Sequence, residues 1–211
     1  MSVSYPTQQR VLQAACRVFA EKGYRDATIA EICEAAEANI AAVNYYFGDK
    51  ESLYDAVWNH AFEISKLAYP IDGSLPENPT LEDYLYSYAC AMLHRIFSET
   101  ETGIFARLLH REMAAPTLAL DHISKKVFHP QSLFLLEALT KNSETPMTPE
   151  QIRLCMFSVI GMCAFYNFSR PMRERFMGCS TMSEEEIEQT ARHIALFSMG
   201  GVNAVTKEQP I

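Results

Sequence analysis

The 211-residue chain predicts an all-α fold, and three observations predict it. Helix-start signatures recur along its whole length. Apolar residues repeat at three- and four-residue spacing between those starts. No segment alternates with the period of two that a half-buried strand requires. The expected organisation is an N-terminal three-helix head built on a helix-turn-helix, residues 1–50, and a larger helical domain, residues 51–211.

The elements follow in order. A first helix begins near Thr7, just after Pro6, and is expected to end at Gly23; Val11, Leu12, Ala15, Val18 and Phe19 form its apolar stripe. Thr28 and Glu31 are spaced as a capping box, with Ile29, Ile32, Cys33 and Ala36 along one face of the second helix. Asn39 is placed to cap a third helix, Ile40 to Phe47, after a turn of three or four residues. Two short helices joined this way are the geometry that sets a recognition helix in a DNA major groove. Asp49 caps a fourth helix whose Leu53, Val57, Ala61 and Ile64 face inward, ending before Pro70.

Residues 71–79, IDGSLPENP, carry the composition of a linker. Thr80 with Asp83 then opens a helix bearing Leu81, Tyr84, Leu85, Tyr88, Met92 and Ile96. Residues 102–114 form the next helix, stopped by Pro116, and Pro130 should kink or split the run from 117 to 141. Thr148 with Gln151, and Pro149 at the first helical position, open a helix so apolar that it is expected to be largely buried. Ser183 with Glu186 caps a last helix that ends between Gly200 and Val205.

Charge and composition narrow the function classes. A net charge of −8 excludes a general coater of nucleic acid, whose affinity would come from many phosphate contacts. The first 60 residues hold Arg10, Arg17, Lys22, Arg25 and Lys50 against eight carboxylates, so a DNA-facing edge must rely on helix N-termini, a few cations and polar side chains. Cys16, Cys33, Cys90, Cys155, Cys163 and Cys179 form no CxxC pair and read as small apolar residues, with a thiol sensor as the minor alternative. The histidines (His60, His94, His110, His122, His129 and His193) show no metal-ligand spacing. No apolar run approaches a membrane span and the N-terminus lacks a secretory pattern, so a cytoplasmic protein is expected.

Several positions at fixed offsets resemble the TetR/AcrR family of bacterial transcriptional regulators: FAEKGY at the end of the first helix, TIAEI at the start of the second, AAEAN in the turn, YYF at the end of the third helix and GDKESL opening the fourth. The segments RLLHREMAAPT, SVIGMCAFY and HIALFSMGG look like its CecR-type subgroup. Two departures stand out. Glu37 occupies a turn position where Gly is common, and Asn44 stands where many relatives carry Tyr, with Ile40 and Ala41 in place of basic or small residues.

Val43 and Phe47, four apart, should pack inward. Ile40, Ala41, Asn44 and Tyr45 fall on or near the exposed edge, where Asn44 can pair with adenine and apolar groups can touch a thymine methyl. Tyr46 joins Tyr45 as a hydroxyl that can reach phosphate, and Asn39 belongs to the same edge. Thr28 and Lys50 lie at helix N-termini flanking the groove, with phosphate roles implied by the resemblance.

The resemblance also implies a ligand cavity in the middle helices, for which Tyr84, Tyr88, Phe105, Met113, Phe134 and Phe165 are the candidate lining residues. It implies a homodimer through the last two long helices, where Gly161, Ala164, Gly200, Gly201 and Ala204 permit close approach. Two heads then read successive major grooves of a palindrome. No cofactor, metal or membrane partner is expected. The resulting expectation is a sequence-specific DNA-binding repressor released by a small, fairly apolar ligand. A helical dimeric interaction protein without DNA binding is the alternative, and a cysteine-dependent enzyme, or one using His110 and Glu112, is the remote one.

Overall fold

The computed structural model describes residues 6–117, 119–143, 145–178 and 181–207; Cys179 and the side chain of His122 lie outside the described residues. The described residues are overwhelmingly helical and contain no strand. The helices are α1 (Thr7–Asp26), α2 (Ile29–Ala36), α3 (Ile40–Phe47), α4 (Lys50–Ala68), α5 (Leu81–Phe97), α6 (Ile104–Ala114), α7 (Ala119–Ile123), α8 (His129–Asn142), α9 (Pro149–Phe168), α10 (Arg170–Met177) and α11 (Glu184–Val205). They group into two compact units. One comprises the chain up to Ala68 together with Glu99–Lys125; the other comprises Tyr69–Ser98 and the chain from Lys126 onward.

Each helix start that the sequence marks with a capping box has one: Thr28/Glu31, Thr80/Asp83, Thr148/Gln151 and Ser183/Glu186 satisfy each other's free N–H groups. Asp49 accepts from the Ser52 N–H at 2.7 Å and starts α4. Two boundaries differ from expectation. Gly23 interrupts α1 with φ 77° without ending it, and the chain turns helically again to Asp26. The run containing Pro130 splits: a π-type turn over Ser124–Phe128 precedes α8, which begins at His129 so that the proline needs no backbone donor.

The first unit extends beyond residues 1–50, because α4 and residues 99–125 share its core. Val11, Ala15, Phe19, Ile32, Val43, Leu53 and Val57 are fully buried. A chain of edge-to-face rings continues that core: Phe19 to Tyr54 at 4.8 Å, Tyr54 to Trp58 at 6.0 Å, and Trp58 to Phe105 at 5.7 Å. Glu112 is buried beside them. It accepts hydrogen bonds from the Tyr54 hydroxyl (3.0 Å) and from the N–H and hydroxyl of Thr117 (2.6 and 2.8 Å).

In the second unit α5 is central, with Leu85, Tyr88, Ala89 and Leu93 buried among Leu135, Leu139, Val159, Ala191, Ile194 and Ala195. The expected linker is tied down by Ser87, which donates to the Ile71 carbonyl (2.8 Å) and accepts from the Ser74 N–H (3.3 Å). Arg95 is buried and directs Nε and Nη2 at the Tyr69 carbonyl; burial lowers its pKa to about 10. The expectation that α9 is largely buried is corrected. Ile152, Cys155, Val159 and Cys163 face the core, while Leu154, Phe157 (64% exposed) and Phe165 (61%) point outward. By length and composition α9 is also long and apolar enough to cross a membrane, although its first turns carry Glu150 and Arg153 and no fully uncharged run of that length is present. Composition cannot tell an apolar helix buried in its own fold from one with a second apolar face.

Candidate nucleic-acid interface

The third helix is pinned by one residue and presents the others. Val43 is fully buried and Phe47 half-buried, so Ile40, Ala41, Asn44, Tyr45 and Tyr46 are turned out of the unit. The 3.6-residue period requires this division once Val43 is fixed inward. Tyr45 is the most exposed of them at 82%, and its ring stands edge-on to Tyr46 at 4.9 Å. Asn39 caps α3, its side-chain oxygen accepting from the Ala42 N–H at 2.9 Å, which leaves its amide nitrogen for other acceptors.

The turn before α3 closes at Glu37, whose φ of 50° and ψ of 47° are left-handed. Its N–H reaches back to the Cys33 and Glu34 carbonyls, and the Ala38 N–H bonds to the Cys33 carbonyl at 2.9 Å. This is the glycine-type helix closure made with a glutamate, at about 1 kcal/mol of backbone strain. From α1, Arg10 Nη2 donates to the Glu37 carbonyl at 3.4 Å.

The flanking residues are more committed than their sequence positions suggest. Thr28 spends its hydroxyl within the capping box, accepting from the Glu31 N–H and donating to the Glu31 carboxylate. Lys22 pairs with the same carboxylate; that hydrogen bond, then those from Thr28, lower the Glu31 pKa to about 2. Lys50 rests its ammonium 4.6 Å from the centre of the Tyr24 ring. Sequence reasoning missed Arg10 and Tyr24 here. Each touches the site from α1, across a separation that helical spacing does not encode.

The candidate ligand residues are divided between the two units. Phe105 belongs to the first unit, buried against Trp58 and Phe62, and Met113 of that unit is half-exposed. In the second unit Phe134 lies 5.4 Å from Tyr84 and 6.5 Å from Tyr88, one aromatic cluster on the core. Phe165 instead lines a groove of about 940 Å³ with Met162, Tyr166, Met172, Phe176 and Phe197. Burial pushes the Cys16 and Cys163 thiols up to about 12, which makes them poor nucleophiles. No group of His, Cys, Asp and Glu among the described residues could hold a metal ion.

A short capped helix presented beside a second, with its polar edge outward, defines a class of helix-turn-helix proteins. Residues 11–57 match the model of bacterial regulatory proteins of the tetR family. Residues 81–202 match that of the C-terminal domain of the HTH-type transcriptional dual regulator CecR, and the chain belongs to this CecR-type branch of the TetR-family transcriptional regulators. The chain is 26% identical over 210 residues to CecR of Shigella flexneri, covering 92% of each protein. It is 36% identical over 79 residues to the transcriptional repressor NicS of Pseudomonas putida, covering 36% of this chain and 37% of that one. The fold is shared with FadR of Bacillus subtilis in complex with stearoyl-CoA, at TM-score 0.69 and 15% identity over 92% of this chain and 98% of that one. FadR of Bacillus halodurans has TM-score 0.69 at 17% identity, over 95% and 98%.

Proposed function

We propose that this TetR-family regulator is a cytoplasmic homodimeric repressor that binds a palindromic operator and is released by a small, fairly apolar ligand. The observation that carries the DNA-binding part is the orientation of α3. Val43 locks it into the unit while Ile40, Ala41, Asn44 and Tyr45 face outward in one row. In this reading Asn44 pairs with a base, Ile40 and Ala41 contact thymine methyls, and Asn39, Tyr45, Tyr46, Thr28 and Lys50 take phosphates. Because Thr28 already uses its hydroxyl, its contribution is the backbone N-terminus of α2.

The exposed apolar sides of α9 and α11 support dimerisation through those helices. Leu154, Phe157 and Phe165 on one, and Leu196 and Phe197 on the other, would be covered by a second copy, with Gly161 and Gly200 allowing close approach. Two heads spaced by about 34–36 Å then match successive major grooves. For the ligand, the cluster of Tyr84, Tyr88 and Phe134 supplies adaptable apolar surface in the second unit. Release needs only a ligand that binds better to the conformer with mismatched heads, a population shift. That the relative FadR is described with stearoyl-CoA supports an apolar body in the ligand.

Selection of bound sequences from random DNA tests this directly. The expected product is a palindrome with half-sites one helical turn apart, bound tightly and more weakly as salt rises. A dimer that selects no sequence would instead favour an interaction protein without DNA binding, the reading that Glu37 in the turn and the acidic head support.

A further inference from the structure

Arg10 lies in the first turn of α1 and lines a concavity of about 460 Å³ together with Thr7, Glu37, Asn39, Tyr45 and Tyr46. Those neighbours place the concavity along the flank of α3 that begins at its cap. Among the described residues lining it, Arg10 is the single cation. Its guanidinium is steadied but little used. Nη2 donates to Thr7 Oγ1 at 3.5 Å and to the Glu37 carbonyl at 3.4 Å, both at the long limit of a hydrogen bond, and Nε is buried without a partner. The terminal N–H groups of a planar fork are thus held by one nitrogen at the edge of the candidate DNA surface.

We propose that this concavity is an anion site, that Arg10 is its ligand, and that the anion is a backbone phosphate of the operator beside the bases read by α3. The proposal rests on the DNA-binding reading above. A guanidinium fork matches two oxygens of a phosphodiester better than an ammonium does. Being already tethered to Thr7 and to the turn, it loses little conformational freedom on binding. Glu37 lines the same concavity, and its negative charge opposes the anion, so the site is weaker than its arginine alone would make it. The tether also runs to the carbonyl of the left-handed residue, so a phosphate held here steadies the turn that aims α3.

The experiment measures operator affinity against salt for the whole protein, using a sequence selected from random DNA. Arg10→Gln retains a side-chain N–H but removes the charge, whereas Arg10→Lys retains the charge. The expected slope of log affinity against log salt falls by about 0.9 in Arg10→Gln and is kept in Arg10→Lys. Affinity of Arg10→Gln drops several-fold for every sequence alike, with base preference unchanged. Glu37→Gln moves the other way and tightens binding at low salt. If Arg10→Gln keeps the wild-type slope while Arg10→Ala loses affinity, Arg10 only buttresses the turn and the proposal is overturned. If the wild-type protein selects no DNA at all, the failure lies in the DNA-binding reading itself.

Discussion

In the proposed reading, Asn44 and Lys50 serve the DNA interface in two different ways. Asn44 is exposed on the outer row of α3, while Lys50 is docked on an aromatic ring at the start of α4. Replacing Asn44 by Ala is expected to cost about 1–3 kcal/mol at one base position in each half-site and to relax preference there. Lys50→Ala should weaken binding to all sequences alike and flatten the salt dependence; identical behaviour of the two variants would refute the division of roles. Glu31 offers a pH test. Its carboxyl titrates near 2 in the fold rather than near 4.5, so the stabilisation it brings is complete above about 4.5 and is lost as pH falls toward 2. The thermal midpoint of wild type relative to Glu31→Gln should therefore shrink across that window and stay constant above it. The outer row of α3 was legible from spacing alone, because one buried valine fixes the phase of an eight-residue helix. The Arg10–Glu37 contact spans 27 positions and was not.

Between elements, a buried carboxylate joins α4 and α6. Glu112→Ala would leave the Tyr54 hydroxyl and the Thr117 N–H without their acceptor in a closed site. A loss of about 2–3 kcal/mol in urea unfolding is expected, and a change below 0.5 kcal/mol would mean that water replaces the carboxylate. Nothing in the sequence pairs positions 54 and 112, which are 58 residues apart. Helix starts, by contrast, are local chemistry, and so Thr28, Thr80, Thr148 and Ser183 could be read as caps from spacing. The outer side of α9 was misread for a different reason: its apolar residues run round the whole helix, and burial by a partner has the same signature as burial within the chain. Phe157→Glu on that side is expected to give a monomer in sedimentation with unchanged helicity and much weaker operator binding. A dimer that survives this substitution would place the interface elsewhere.

At the scale of the molecule, the notable property is how the first unit is assembled. It takes the chain up to Ala68 and then Glu99–Lys125, so the helix-turn-helix shares its core with α6. A fragment ending at residue 68 lacks Phe105, Leu108 and Glu112 and exposes Trp58 and Tyr54. Such a fragment is expected to show poor helicity and no cooperative thermal transition, and a cooperative melt would show that α1–α4 suffice. The compact unit runs past the boundary near residue 50 suggested by the recognition motif, because hydrophobic periodicity identifies faces without saying which distant face covers them.

That interleaving has a consequence for synthesis. The recognition helix leaves the ribosome early, but its supporting core stays open until residue 125 has followed. The 57 residues between positions 68 and 125 take roughly 3–11 s at about 5–20 residues per second. During that interval the nascent head is an unfinished surface, still waiting for the residues that close its core.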